Sequence, residues 1–270
     1  MLTLLAKGVR AGRARVRAHA AQVPGLARWA ASADRLVRIG AGPAQGLFIK
    51  PGPSDPGYSA GHNERAVQDA FTELLRHDQV VYDIGANMGF LSLLAARLVG
   101  AGGAVFAFEP VPANAQRLRD SARANGFGNV KVVEAALSDT PGQAVLALAE
   151  HAGGAMLTRF GRPPDATDAL TVTTTTLDAL VYEYGWQAPD FVKLDVEGAE
   201  AAVLAGAARL REAKRCTWLV EVDAATDEDA KAKVRALEAA FFAVGYTTYP
   251  LEDSYPHSGW FVRHFVARPS

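Results

Sequence analysis

Residues 80–90 read Val80-Val81-Tyr82-Asp83-Ile84-Gly85-Ala86-Asn87-Met88-Gly89-Phe90. A short β-branched run ends in an acid, and a glycine turn leads into an apolar stretch with helical spacing. That order predicts a strand over Gln79–Asp83, a tight turn, and a helix over Phe90–Leu98. Gly85 allows a left-handed backbone and a close approach of the main chain, and Asn87 tolerates the same geometry. Gly89 opens the helix, whose N-terminus favours an anionic or polar group.

Working outward, the pattern repeats. Strands are predicted at Ala104–Glu109, Val130–Ala136, Phe191–Asp195 and Thr217–Val222. Helices are predicted at Pro112–Asn125, Ala199–Leu210 and Asp229–Val244. Strands separated by helices imply a mostly parallel, doubly wound α/β sheet. Gln143–Ala149 and Thr171–Thr176 read as extra strands in an insertion, and Tyr246–Pro250 with Phe261–Ala267 as an antiparallel closing pair. Upstream, Asn63–Leu75 reads as a helix and Leu47–Lys50 as a short strand within a stretch rich in Gly and Pro.

Composition sets the frame. The chain has 270 residues, of which 49% are hydrophobic and 21% charged, enough apolar side chain for a sizeable core. The formal net charge of −1 excludes a polyanion binder held by bulk charge, so nucleic acid is not an expected partner. A single cysteine, Cys216, excludes an internal disulfide framework and a cysteine zinc site. With no uninterrupted apolar run of membrane-spanning length, a cytoplasmic location is the expectation.

Residues 1–33 stand apart: Lys7, Arg10, Arg13, Arg15, Arg17 and Arg28 occur there without one acid. Two readings remain open for this segment: a helix packed on the main domain, and an amphipathic helix making peripheral contact with a membrane or a partner. The division expected is a basic helical extension with a Gly/Pro-rich loop over residues 1–58 and the main domain over residues 59–270.

In open α/β sheets, ligands bind beyond the carboxyl ends of the strands. Four such ends carry chemistry. The first is the Asp83–Gly89 turn, which departs from the G-x-G-x-x-G fingerprint because Asn87 stands at the second glycine. The second is Glu109, placed to accept from two ribose hydroxyls. The third is Ser138-Asp139, beside the position of a nucleoside base. The fourth is Lys193-Leu194-Asp195-Val196-Glu197-Gly198, where a period of two puts Lys193, Asp195 and, if the strand persists, Glu197 on one face. Charges in a central parallel strand are costly to bury unless paired, so three at its end mark a site.

Five stretches together resemble the FkbM family of S-adenosylmethionine-dependent methyltransferases: VVYDIGANMGFLSLLAARLVG (80–100), VFAFEPVPANAQRLRDSARANG (105–126), VKVVEAALSD (130–139), TTLDAL (175–180) and FVKLDVEGAEAAVLAGA (191–207). The resemblance implies a Rossmann-like methyltransferase fold, S-adenosyl-L-methionine as cofactor, and mostly O-methylation of sugars, glycans or natural-product hydroxyls. By motif, Asp83, Gly85 and Asn87 would lie beside the methionine part of the cofactor, Glu109 would hold the ribose, and Ser138 and Asp139 would lie beside adenine. Asp195 would face the methyl and the acceptor, and Lys193 would tune it. Glu64 matches a position where relatives often carry an acid. Relatives often place a histidine two residues after the acid of the fifth strand; here Asp223 follows Glu221.

Asp195 is the first candidate base or orienter, with Lys193 and Glu197 beside it; His62 and His151 are weaker candidates. No metal is assigned. The acceptor is not read from the sequence, and residues 140–175, with Met156, Phe160 and nearby Trp186, form the expected specificity region. The rival readings are an NAD-dependent oxidoreductase and a nucleoside-binding module without catalysis. The oligomeric state is unread.

Overall fold

The computed structural model describes residues 35–52, 54, 56–149, 155–161, 166–252 and 261–270. The basic segment 1–33 and His151 lie outside the described residues.

Seven strands form the central sheet: β3 (Val80–Ile84), β4 (Ala104–Phe108), β5 (Val130–Val133), β10 (Phe191–Leu194), β11 (Thr217–Ala224), β12 (Tyr246–Pro250) and β13 (Phe261–Pro269). Their spatial order is β12-β13-β11-β10-β3-β4-β5. β3, β4, β5, β10 and β11 run parallel, and β13 is wedged antiparallel between β11 and β12. This is the Rossmann-like methyltransferase architecture.

The alternation of side chains across each strand explains the layers. Val81, Val105, Phe191, Leu219 and Val266 point to one side and join a cluster with α2 (Arg65–Leu74) and α3 (Phe90–Val99). Their neighbours Tyr82, Phe106, Val192, Trp218 and Phe265 point the other way. That cluster takes in α5 (Glu200–Ala205), α6 (Ala208–Glu212) and α7 (Asp227–Phe242). Each fully buried Phe, Leu or Val contributes roughly 1.5–3 kcal/mol. Besides α1 (Pro56–Ala60), one further helix, α4 (Pro112–Ala124), lies between β4 and β5 in the chain. A small hairpin, β1 (Val37–Arg38) with β2 (Phe48–Ile49), docks on α4: the Phe48 amide donates to Asn125, and Lys50 pairs with Asp120 at 2.6 Å. Ile39, Leu47 and Ile49 enter the same cluster as α2 and α3.

Two predicted elements break where the sequence reads as continuous. The strand expected over Val130–Ala136 stops at Val133, turns through an Ala135 N–H to Val133 carbonyl bond of 3.0 Å, and resumes as β6 (Ala136–Leu137). β6 belongs to a second, four-stranded sheet ordered β6-β9-β7-β8, with β7 (Gly142–Ala149), β8 (Ala155–Leu157) and β9 (Ala166–Thr175). The helix expected over Ala199–Leu210 divides at Gly206, where a side chain would collide with the Ser138 carbonyl. Asp178 then caps the second piece by accepting from the amides of Arg209 and Leu210.

The second sheet packs over one end of the first. Ala136, Leu146, Leu157, Val172 and Ala199 are buried together, with Val111 and Val196 against them. The turns after β4 and β10 are thereby held under the insertion. Trp186 lies elsewhere, stacked on Phe108 and tilted against Phe106 in the opposite-face cluster.

Candidate active site

The face of the sheet that carries α2 and α3 changes character along its strands. Val81 is followed two residues on by Asp83, Phe191 by Lys193 and Leu219 by Glu221. On antiparallel β13, Val266 is preceded by His264. The apolar floor thus ends in a charged rim at the carboxyl ends of the parallel strands.

Lys193 is the hub. Its Nζ lies 2.8 Å from Asp195 Oδ2 and 3.7 Å from Asp83 Oδ1, and it donates to the Gly85 carbonyl at 3.3 Å. Desolvation works against its charge, but Asp195, Asp83, Glu64 and Glu221 outweigh it and raise the ammonium above its ordinary value. Asp83 is fully buried beneath the glycine turn, with its second oxygen accepting from the Ser92 hydroxyl. Burial raises its carboxyl, partly offset by Lys193 and Ser92. Asp195 differs from both: its side chain is 24% exposed, against 5% for Lys193 and 1% for Asp83.

The glycine turn is tied to the next strand end. The Asn87 amide donates to Glu109 Oε2 and the Val111 amide to Glu109 Oε1, each at 2.8 Å. Burial pushes the Glu109 carboxyl up to about 7, against the lowering effect of those two amides. Gly85, at φ 77°, has no room for a side chain because the Asp195 carbonyl oxygen occupies that space. Gly89 is required by packing, since a Cβ there would collide with Leu118 of α4.

The extension of β10 through Glu197 does not hold: the strand ends at Leu194, and Glu197 sits in a left-handed turn at φ 52°. The turn still brings its carboxyl into the field of Asp195, Asp223 and Glu221, and burial first, then Asp195 and Asp223, push it up to about 10. Three non-glycine residues at this rim have positive φ: Glu64 (51°), Asn87 (50°) and Glu197 (52°). Such backbone costs about 1–3 kcal/mol each and clusters at functional sites. Glu64 is buried, accepts from the Tyr58 hydroxyl at 2.5 Å, and adds its charge to those facing Lys193. His62 is exposed in the turn before it.

Asp83, Gly85, Asn87, Glu109, Lys193 and Asp195 therefore form one connected network. Ser138 and Asp139 make theirs with the insertion: Arg159 donates to both, at 2.6 Å to Asp139 Oδ1, and this hydrogen bond lowers the Asp139 carboxyl. Arg159 also stands over the Phe160 ring at 4.5 Å. Met156 on β8 comes within reach of Gly198. Two residues escaped the sequence reading. Arg159 carried no motif, and His264 lies 2.7 Å from Glu221 although 43 residues separate them. The signal for His264 was the predicted antiparallel pairing, but its register was not readable. Among the described residues, no group of three or more His, Cys, Asp or Glu side chains is arranged to hold a metal ion, and no helix is long and apolar enough to cross a membrane.

A search of curated proteins returns no match. Among solved structures, the chain is similar to the methyltransferase FkbM from Methylobacillus flagellatus KT, with 18% identity, a TM-score of 0.52, and coverage of 72% of this chain and 45% of that one. The chain thus spans less than half the length of that protein. A putative rRNA-methylase from Clostridium thermocellum superposes with a TM-score of 0.50 and 10% identity, covering 76% of this chain and 94% of that one. At these identities the likeness establishes the fold. The Methyltransferase FkbM domain matches residues 83–247, a span that runs from the buried acid of β3 through the Lys193–Asp195 pair to the start of β12; the chain belongs to the FkbM family of S-adenosylmethionine-dependent methyltransferases.

Proposed function

We propose that the protein transfers a methyl group from S-adenosylmethionine to a hydroxyl of a sugar, glycan or natural-product acceptor. The observation that carries this reading is Asp195, a half-open carboxylate held by a sealed lysine at the end of the central strand. The residues present fit the cofactor. A carboxylate has about four acceptor sites, and the two backbone amides on Glu109 use two of them, leaving capacity for a pair of ribose hydroxyls. Gly85 and Asn87 supply the turn beside it, and Ser138 and Asp139 would border the base.

When bound, the cofactor supplies an already activated methyl on a sulfonium, so the protein's share is chiefly alignment. Asp195 Oδ2 is committed to Lys193; Oδ1 is left to accept from the acceptor hydroxyl and fix its direction. Lys193, braced by Asp83 and the Gly85 carbonyl, holds Asp195 in place. The insertion, with Met156 near Gly198 and Arg159 on Asp139, would shape acceptor choice.

The test is calorimetric titration with S-adenosylhomocysteine and, separately, NAD⁺, on wild type and Glu109→Ala. It is followed by transfer of labelled methyl to a panel of glycosides, lipid-linked sugars and polyketide alcohols. The reading expects S-adenosylhomocysteine alone to bind, binding to fall at least tenfold in the variant, and label to appear in an ether. Binding of NAD⁺ alone would replace the reading with a dehydrogenase. Folded protein that binds neither ligand would leave a module without catalysis.

A further inference from the structure

The site holds a basic group that alignment by Lys193 and Asp195 does not use. β11 and β13 pair antiparallel with Glu221 opposite His264, and His264 Nε2 lies 2.7 Å from Glu221 Oε2. The imidazole is wholly buried while the Glu221 side chain is 14% exposed, so the ring stands behind the carboxylate. On the other side, β10 and β11 are in parallel register with Leu194 opposite Val220. One residue further along come Asp195, just past the end of β10, and Glu221, and Asp195 is the foremost charge acting on Glu221. The charged groups around the couple are Lys193 from β10, Asp195 and Glu197 from the turn after it, Asp223 from β11, and Glu64 from the turn before α2.

Methylation of a neutral hydroxyl has a strict balance. The oxygen–carbon bond forms as the carbon–sulfur bond breaks, that bond's electron pair stays on sulfur, and one proton must leave the oxygen. Asp195 has one oxygen taken by Lys193. The neighbouring Glu221 is different, because desolvation first and the carboxylates of Asp195 and Glu64 next raise its carboxyl well above the ordinary range. An imidazole N–H on its far oxygen favours the ionised carboxylate that must be present before the step, and the ring is placed to share the charge once the proton arrives.

We propose that Glu221 receives the proton that the acceptor hydroxyl loses, and that His264 is a positioning residue that fixes Glu221 from behind and shares that proton. This rests on the methyl-transfer reading above. After each turnover the couple carries one extra proton, which it returns to solvent through the exposed edge of Glu221.

The test compares wild type with Glu221→Gln, His264→Gln and His264→Ala in three measurements. Calorimetry with S-adenosylhomocysteine should give affinities within twofold of wild type for the two glutamine variants, which also reports folding. Histidine ring resonances followed against pH, with His264 assigned by its loss in His264→Gln, should show its midpoint falling by a unit or more in Glu221→Gln. Methyl transfer to the acceptor found in the panel should fall about a hundredfold in Glu221→Gln. Its pH–rate limb should move in both His264 variants, more in alanine than in glutamine. A His264 midpoint unchanged by Glu221→Gln, or a pH–rate profile of His264→Gln that superposes on wild type, overturns the proposal. If wild type binds no S-adenosylhomocysteine, it is the methyl-transfer reading that fails, and the ring titration alone still decides whether the couple exists.

Discussion

The seven-stranded sheet and the four-stranded insertion use polar side chains in opposite ways. In the large sheet, β10 is buried from end to end and β3 and β4 over all but their first residue. In these three strands the charges, Asp83 and Lys193, come only in the carboxyl-terminal half. In the small sheet, one face packs on the Val111–Val196 turns while Thr171, Thr173 and Val145 face solvent. A buried polar residue in the first sheet therefore carries information, because burying it unpaired is costly; in the second, Thr171 and Thr173 mark an open surface, while buried Thr174 donates to the Thr140 carbonyl. On the reading proposed above, the large sheet would carry the chemistry, and the small one would lie over it and shape acceptor choice.

The comparison is broken most severely by removing the hub. Lys193→Met leaves Asp83 and Asp195 without their cation in a sealed environment, and it should cost about 3–5 kcal/mol of unfolding free energy in urea titration. A loss under about 1 kcal/mol would mean that water reaches these carboxylates and the rim is not dry. Paired glycine substitutions sharpen the contrast. Gly85→Ala should cost about 2–3 kcal/mol, because φ is 77° and the Asp195 carbonyl fills the Cβ position. Gly142→Ala, also at positive φ but with Thr174 Oγ1 3.9 Å away as nearest neighbour, should cost clearly less in the same thermal or urea assay. Equal costs would assign the effect to backbone strain alone.

A third prediction concerns pH. Glu109 and Glu200 are both pushed up to about 7 from 4.5, chiefly by burial. The native state then binds more protons than the unfolded chain between these values, so stability is full below about pH 4.5 and declines as pH rises toward 7. Glu109→Gln should flatten that slope, leaving the part due to Glu200; an unchanged slope in urea midpoints would show that Glu109 is ionised without penalty. The smallest effect belongs to the insertion. Arg159→Ala removes an ion pair whose partners are 40% and 42% exposed, and it should change stability by less than about 1 kcal/mol. A larger loss would make the insertion a structural partner of the large sheet rather than a variable cover.

How much was legible follows the same division. The strands that build the floor are short apolar runs bounded by glycine, proline or acids, and their positions and types were readable, as was the closing pair at the end of the chain. Glu109 and the Lys193–Asp195 pair were readable because a charge closing an apolar run is costly to bury unless something pairs with it. The break at Glu134–Ala135 was not readable, since Val130–Ala136 contains no glycine, proline or other turn residue and only the pairing of Ala136 with Thr174 makes it two strands. Nor was the division at Gly206, which depends on the approach of Ser138. Glu197 misled because its turn imitates the strand's period for one step. His264 and Arg159 depend on long-range register, which local pattern does not encode.

The main-chain bonds beneath the site have a further consequence. Gly85 and Ala86 both donate to the Phe108 carbonyl at 3.0 Å, Asp195 donates to Ile84 at 3.2 Å, and Glu109 donates to Val133 at 3.0 Å. Four successive strand ends are cross-stitched at the very residues that would meet a ligand. Local fluctuations that let solvent deuterium into loops cannot release these amides one at a time, so they should exchange only when the whole sheet comes apart. The floor is thus set by the sheet's own hydrogen bonds, and the proposed acceptor would meet it already formed.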